Sequence, residues 1–427
     1  ERSHHPRSRP TNACAIRFAP WNKPLPLSLS LSSRSLCWLV LLHSQLDSAV
    51  GGASAMENGG LPGSSSSPST SSLVFLGTGC SSMVPNAVCL IQPSDPPCPV
   101  CSQALSVPPQ RNPNYRCNTS LLIDYCPDDD EHNYILIDVG KTFREQVVRW
   151  FTYHKIPRVD SIILTHEHAD AVLGLDDIRA VQPFSPTNDI DPTPIYLTQF
   201  SMDSISVKFP YLVPRKLREG EEVRRVAQLD WRIIESDHKK PFTASGLQFV
   251  PLPVMHGEDY VSLGFLFGEK SKVAYISDVS RFPESTEYVI SKYGAGRLDL
   301  LILDTLYKGL DHRGLKLTQI GGIKLPIVVD DGEYVSNQIL LYKVLSQTLD
   351  IISCCINFVQ VGPHNTHLCL PQSLEAVKRI CPKRALFVGM THELDHHKDN
   401  LALADWSRRE GIPVQLAHDG LRIFIDL

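Results

Sequence analysis

The feature that constrains this chain most is Thr165-His166-Glu-His168-Ala-Asp170, set directly behind the apolar, β-branched run Ser161–Leu164. Two imidazoles two residues apart, where a strand passes into a turn, can face one cation, and a carboxylate two residues further on can face a second. Three other positions repeat the placement. His256 follows Val250-Pro-Leu-Pro-Val-Met255, Asp278 follows Tyr275-Ile-Ser277, and His392 follows Phe387-Val-Gly-Met-Thr391. His256 is placed to complete a three-imidazole site, and Asp278 to bridge two cations. Strand ends that deliver His and Asp together must share one edge of a sheet.

The rest of the chain supports such a sheet. Strand-like runs are expected at Leu73–Leu76, Thr119–Ile123, Tyr134–Ile137, Ser161–Leu164, Ser262–Phe267, Val273–Ile276 and Leu300–Leu303. Helical patterns lie at Thr142–Tyr153, Leu370–Ile380 and Lys398–Arg409. This interleaving predicts an α/β fold. With 42% hydrophobic and 20% charged residues, there is material for a large core.

Residues 1–72 do not read as a domain. They mix Arg with Ser and run into a Gly/Ser/Pro stretch at 59–72, and the first methionine is Met56. Two readings stay open for this segment, a leader preceding a natural start at Met56, or an organellar transit peptide, since residues 2–46 carry Arg and Lys and no acid. Residues 73–427 form the expected domain, interrupted at 309–363 by a probable insertion with weak periodicity and a Cys354-Cys355 pair.

Charge and cysteine usage narrow the partners. Lys and Arg total 41 against 46 Asp and Glu, a net charge of -5, so no basic field covers the protein and nucleic acid is not expected. No apolar run near a terminus approaches the ~18 to 20 residues that cross a bilayer, which predicts a soluble, cytoplasmic protein. Twelve cysteines at irregular spacing suit a reducing compartment with thiols kept for metal. Cys98-Pro-Val-Cys101 has the spacing for two thiolates on one tetrahedral zinc, with Cys89 nine residues upstream. His364 and His367 are candidates to protonate a leaving alkoxide or to bind phosphate.

These residues resemble the metallo-β-lactamase fold hydrolase superfamily, and within it the branch of phosphoribosyl cyclic phosphate diesterases. The resemblance rests on Phe75-Leu-Gly-Thr-Gly79, Ile137-Asp-Val-Gly140, Thr165–Asp170, Pro253-Val-Met-His-Gly257, Ile276-Ser-Asp278, His364-Asn-Thr-His367 and Met390-Thr-His-Glu-Leu-Asp-His396, and it covers residues 73–308 and 364–427. It implies an αββα sandwich with metals at one edge of paired sheets. His166, His168 and His256 would hold the first of two divalent cations, zinc or manganese, Asp278 would bridge, and Asp170 with His392 would hold the second. The superfamily usually has a His directly after this Asp, whereas here stands Ala171, so the second cation is expected to be weakly held. The branch also carries three Cys with a His shortly after the last catalytic His, which implies a structural zinc on Cys89, Cys98, Cys101 and His396. Relatives lack a counterpart of 309–363, as an unspliced intron would explain. His367 matches the second His of the branch's His-Pro-Thr-His stretch, with Asn365 in place of Pro.

The expected activity is therefore hydrolysis of a small phosphodiester, cyclic phosphates among the candidates, by a water acidified between two cations, with Asp170, His364 and His367 as the catalytic candidates. Two alternatives use the same metals. A glyoxalase II-like thioesterase normally carries the full His-x-His-x-Asp-His set, and an RNase Z-like endoribonuclease needs an exosite arm or basic patch. A non-catalytic scaffold would be expected to lose several ligands rather than one. A homodimer stays open as the assembly.

Overall fold

The computed structural model describes residues 70–127, 131–184, 190–213, 226–309 and 366–427, together with the backbone of a two-residue ladder, Gln319–Ile320 against Ile323–Lys324. The expectations for 1–69, for most of 309–363 and for His364 lie outside the described residues.

The strands, in chain order, are β1 (Ser72–Gly77), β2 (Ser120–Tyr125), β3 (Asn133–Ile137), β4 (Ser161–Ile163), β5 (Thr193–Leu197), β6 (Leu229–Ile233), β7 (Phe242–Ala244), β8 (Leu247–Met255), β9 (Val261–Phe267), β10 (Val273–Ile276), β11 (Leu300–Asp304), the ladder β12 and β13, β14 (Ala385–Val388), β15 (Val414–Leu416) and β16 (Arg422–Phe424). They build two seven-stranded sheets, in the orders β16-β1-β2-β3-β4-β5-β6 and β15-β14-β11-β10-β9-β8-β7. Each sheet is antiparallel where consecutive strands meet through turns and parallel from β3 to β6 and from β10 to β15. In those parallel stretches helices supply the crossovers that parallel pairing requires.

Alternation along the strands sets up the layers. Leu73, Phe75, Leu121, Ile123, Ile135 and Ile137 point to one cluster, which they share with Val273, Tyr275, Ile302, Leu386 and Val388 of the other sheet. The residues between them point outward. Val74, Leu76, Leu122 and Leu136 pack on Phe143, Trp150, Phe151, Ile178 and Ile205. On the far side, Ala274, Ile276, Leu301, Leu303 and Phe387 pack on Ile290, Val377, Ile380 and Leu403. Strands buried on both faces read as continuous apolar runs, which is why β10, β11 and β14 lack a polar alternate. Each fully buried Leu, Ile or Phe contributes roughly 1.5 to 3 kcal/mol, so the three clusters are the main force holding the layers together. The result is the expected αββα sandwich. No helix among the described residues is long and apolar enough to cross a membrane.

The carboxyl ends of β3, β4, β10, β11 and β14 all open onto one edge, the usual place for a site in sheets with parallel strands. The two sheets are joined there by backbone, with Leu263 N–H donating to the Thr165 carbonyl at 3.0 Å. Gly140 permits a close approach there, since a Cβ at this position would sit 2.0 Å from the Asp170 carbonyl oxygen.

Candidate metal centre

Strand geometry brings His166, His168, His256 and Asp278 together. One ligand atom from each lies within 4.8 Å of every other. His256 Nε2 is 3.2 Å from His168 Nδ1 and 3.7 Å from Asp278 Oδ2, and His166 Nε2 is 3.2 Å from Asp278 Oδ2. Tetrahedral zinc with bonds of about 2.0 to 2.1 Å would put neighbouring nitrogen ligands about 3.3 Å apart. The observed spacing is therefore that of a coordination shell.

Residues behind the cluster orient the rings. Thr165 donates to Asp138 twice, from N–H to Oδ1 and from Oγ1 to Oδ2, each at 2.8 Å. With its proton committed to Asp138, the Thr165 hydroxyl accepts from His166 Nδ1–H at 2.8 Å, which turns the Nε2 lone pair toward Asp278. His256 Nδ1–H donates to the Thr366 carbonyl at 2.7 Å and likewise frees Nε2. Hydrogen bonds of this kind fix tautomer and ring direction in metal-binding histidines. His166 Nε2 is buried and makes no hydrogen bond of acceptable geometry, although it lies against a carboxylate. An orphaned lone pair aimed at a buried carboxylate fits a cation between them.

The electrostatics agree. Burial raises Asp138 to about 7, and burial with the Asp278 charge raises Asp170. Burial also works against the Asp278 carboxylate, but His166, His367 and His256 reverse it and hold Asp278 well below the usual range. Burial pulls His256 down to about 4. His166 is desolvated too, yet Asp278, Asp138 and Asp170 lift it to about 8. A pocket crowded with carboxylates that only imidazoles compensate is short of positive charge. Asp138 and Asp278 both have left-handed backbone, φ 62° and 61°, which Asp tolerates better than most residues.

A second group adjoins the first. Asp304, fully buried at the end of β11, accepts from His367 Nδ1–H at 2.7 Å, and these two residues cluster with Asp278. Burial pulls His367 down, but the charge and hydrogen bond of Asp304, with Asp278 and Asp170, raise it to about 9. The rings of His367 and His256 lie 4.8 Å apart. Sequence reasoning passed over Asp304, and over Asp138 within its own quoted motif. Both close an apolar strand, Leu300-Leu-Ile-Leu and Tyr134-Ile-Leu-Ile, in the pattern that singled out Asp278.

The third group corrects two expectations. His392, expected on the second cation, stands instead with the cysteines, its Nδ1 3.4 Å from both Cys89 Sγ and Cys98 Sγ. Cys101 completes the cluster. A tetrahedral zinc with sulfur at about 2.3 Å would separate sulfur and nitrogen ligands by about 3.6 Å. His396, expected on the thiols, is elsewhere. It is the first residue of the helix His396–Glu410, where Asp395 caps the start, and its ring meets Asn400 and His418. The reason lies in the backbone. Met390 N–H donates to the Thr78 carbonyl at 3.0 Å and Cys80 N–H to the Met390 carbonyl at 3.2 Å, so the end of β14 is stapled to the turn that leads into the cysteine loop. His392, two residues on, reaches that loop, and the capped helix carries His396 away. Burial raises the Cys101 thiol to about 12, which disfavours a bare thiolate there. Of the three residues expected on the second cation, Asp278 alone stands in the strand-end cluster, and Asp170 lies near enough to feel the charges of Asp278, His166 and His168 without joining it.

Comparison with known proteins gives a concordant result. The family described as Beta-lactamase superfamily domain matches residues 133–390, and the chain belongs to it. It is a metallo-β-lactamase-fold hydrolase. The fold is similar to that in a crystal structure of a new diphosphatase from the PhnP family, at 25% identity and a TM-score of 0.55, covering 84% of this chain and 98% of the other. It is also similar to the Zn(2+)-bound PqqB from Methylobacterium extorquens, at 16% identity and a TM-score of 0.52, covering 83% and 100%. In sequence, the chain is 28% identical over 207 residues to an octanoyltransferase of Porphyromonas gingivalis (strain ATCC BAA-308 / W83), a match over 48% of this chain. It spans 35% of that curated relative's length.

Proposed function

We propose that this member of the β-lactamase superfamily domain family is a metal-dependent phosphodiesterase acting on a small phosphodiester, with cyclic phosphates among the candidates. The observation that carries the reading is the convergence of His166, His168, His256 and Asp278 at coordination spacing, with an orphaned imidazole nitrogen among them. His166, His168 and His256 would hold one divalent cation, zinc or manganese, with Asp278 shared toward a second, weaker one beside Asp170. Bound there, the cations would acidify a water and neutralise charge on the phosphoryl oxygens.

The chain's own groups do the rest. Asp278 and Asp170 bring the negative charge that a pair of divalent cations needs. Asp304 accepts the His367 Nδ1–H and fixes the ring beside Asp278, and the Nε2–H of that ring would supply the proton to the departing alkoxide. The likeness at 25% identity to a diphosphatase of the PhnP family supports the phosphate-ester branch over a thioesterase. Cys89, Cys98, Cys101 and His392 would hold a structural zinc that pins the loop after β1 to the end of β14. No disulfide joins the described cysteines, in keeping with a reducing, cytoplasmic setting.

A hydrolysis panel on metal-replete protein tests this. Bis-p-nitrophenyl phosphate and cyclic ribose phosphates should turn over, while a glutathione thioester and precursor tRNA should not. Thioester cleavage without phosphodiester cleavage would overturn the reading.

A further inference from the structure

Phe200 opens the helix Gln199–Lys208 and is 64% exposed. A single exposed aromatic ring is ordinary on a protein surface. This one is fixed relative to the metal cluster by contacts at both ends of its helix. Near the first end, Ser201 Oγ donates to Glu167 Oε2 at 3.4 Å, and at the last residue Lys208 Nζ donates to the Glu167 carbonyl at 2.6 Å. Glu167 lies between the two ligand histidines of the motif. Tyr260 closes the arrangement. It stacks on His168 with ring centroids 4.9 Å apart and planes 14° apart, and its hydroxyl donates to Glu167 Oε2 at 2.6 Å. Phe200 meets Tyr260 edge to face at 6.0 Å. Thus His168, Tyr260 and Phe200 form a run of aromatic rings that starts at a candidate ligand and ends in an open ring.

We propose that Phe200 is a specificity-determining residue whose exposed ring stacks on a flat aromatic group, a nucleobase, in the arm of the substrate that does not leave. The inference rests on the phosphodiesterase reading and names the substrate class for that same site. Stacking on an aromatic side chain tolerates any base, because every base has a π-face. It also lets one end of a small phosphodiester be gripped without the basic surface that a nucleic-acid polymer would need.

The test compares thymidine 5′-(p-nitrophenyl phosphate) with methyl p-nitrophenyl phosphate on the metal-replete full chain. Both release p-nitrophenolate and differ in the remaining arm. The wild-type protein should favour the nucleoside ester through a lower KM. Phe200→Ala should raise that KM by about 5- to 100-fold and so erase most of the preference for the nucleoside ester over the methyl ester. Phe200→Trp should keep the preference, and Phe200→Leu, which retains apolar bulk without a π-face, should lose it. The stacking role alone falls if both esters turn over and their ratio is the same in wild type and Phe200→Ala, or if Phe200→Leu matches wild type. If metal-replete wild type cleaves neither ester, the phosphodiesterase reading falls and the role of Phe200 falls with it.

Discussion

The protein has two clusters of metal-binding character, and they are built differently. The histidine and aspartate cluster hangs from the ends of β4, β8 and β10, each anchored in the core. The cysteine cluster is held by a loop with two short helices, Ala87–Ile91 and Pro99–Gln103, which meets the rest of the fold at His392 after β14 and through backbone bonds between Val84 and Arg116. In the first, the sheets position the ligands and Thr165, Asp138 and Thr366 aim them. In the second, two five-residue helices and their flanks carry three of the four ligands. A bound ion there would order the chain, as metal binding does when it is coupled to folding.

The sharpest way to break this comparison is to empty the strand-end cluster. His166→Ala combined with His168→Ala should abolish hydrolysis, by about 1000-fold or more, and remove the hydrolytic metal. Elemental analysis should still find the zinc of the cysteine cluster, and little change in Tm, because the sheets hold without the ion. Unchanged metal content in this variant would defeat the ligand assignment.

A smaller effect separates holding from aiming within the same edge. Asp304→Asn keeps the shape but no longer fixes the His367 tautomer. It should lower kcat by about 100-fold or more with metal content and KM nearly intact. Loss of metal in parallel with kcat would show that Asp304 is itself a ligand.

The converse experiment addresses the loop. His392→Ala should remove one zinc and lower stability by about 2 to 4 kcal/mol, whereas His396→Ala should leave zinc content as it was. If His396→Ala is the variant that loses zinc, the placement of the two residues is reversed. The least effect is expected at Ala171. It is buried and packs in the outer apolar cluster, so Ala171→His should cost about 1 to 3 kcal/mol by overpacking and should not raise metal content. A tighter second cation in that variant would show that the imidazole can turn to the edge.

The edge was legible in the sequence because its signals are local. An apolar β-branched run followed by His-x-His-x-Asp puts a ligand set at a strand end whatever surrounds it, and the same holds for Asp278 and His256. Asp304 and Asp138 carried the same signal and were passed over. Each is a lone carboxylate after a strand, and what gives it meaning is the partner, His367 or Thr165, that the fold brings to it. The short strands β6 and β7 escaped notice for a related reason. Trp231, Arg232 and Phe242 are only partly buried, so no strong apolar run announces them.

By itself, then, the sequence determined the class of fold, the edge where chemistry would gather, and the donor types available there, since these depend on periodicity and on residues near in the chain. Tertiary structure alone decided which histidine serves which cluster. His392 and His396 are four residues apart in one motif, and the one local signal between them, the capping Asp395, does not say which of the two meets the thiols. The backbone hydrogen bonds of Met390 to Thr78 and Cys80 draw the first toward the thiols, and the Asp395 cap starts a helix that turns the second away. Those bonds join residues more than three hundred positions apart, a distance over which sequence pattern carries no geometry.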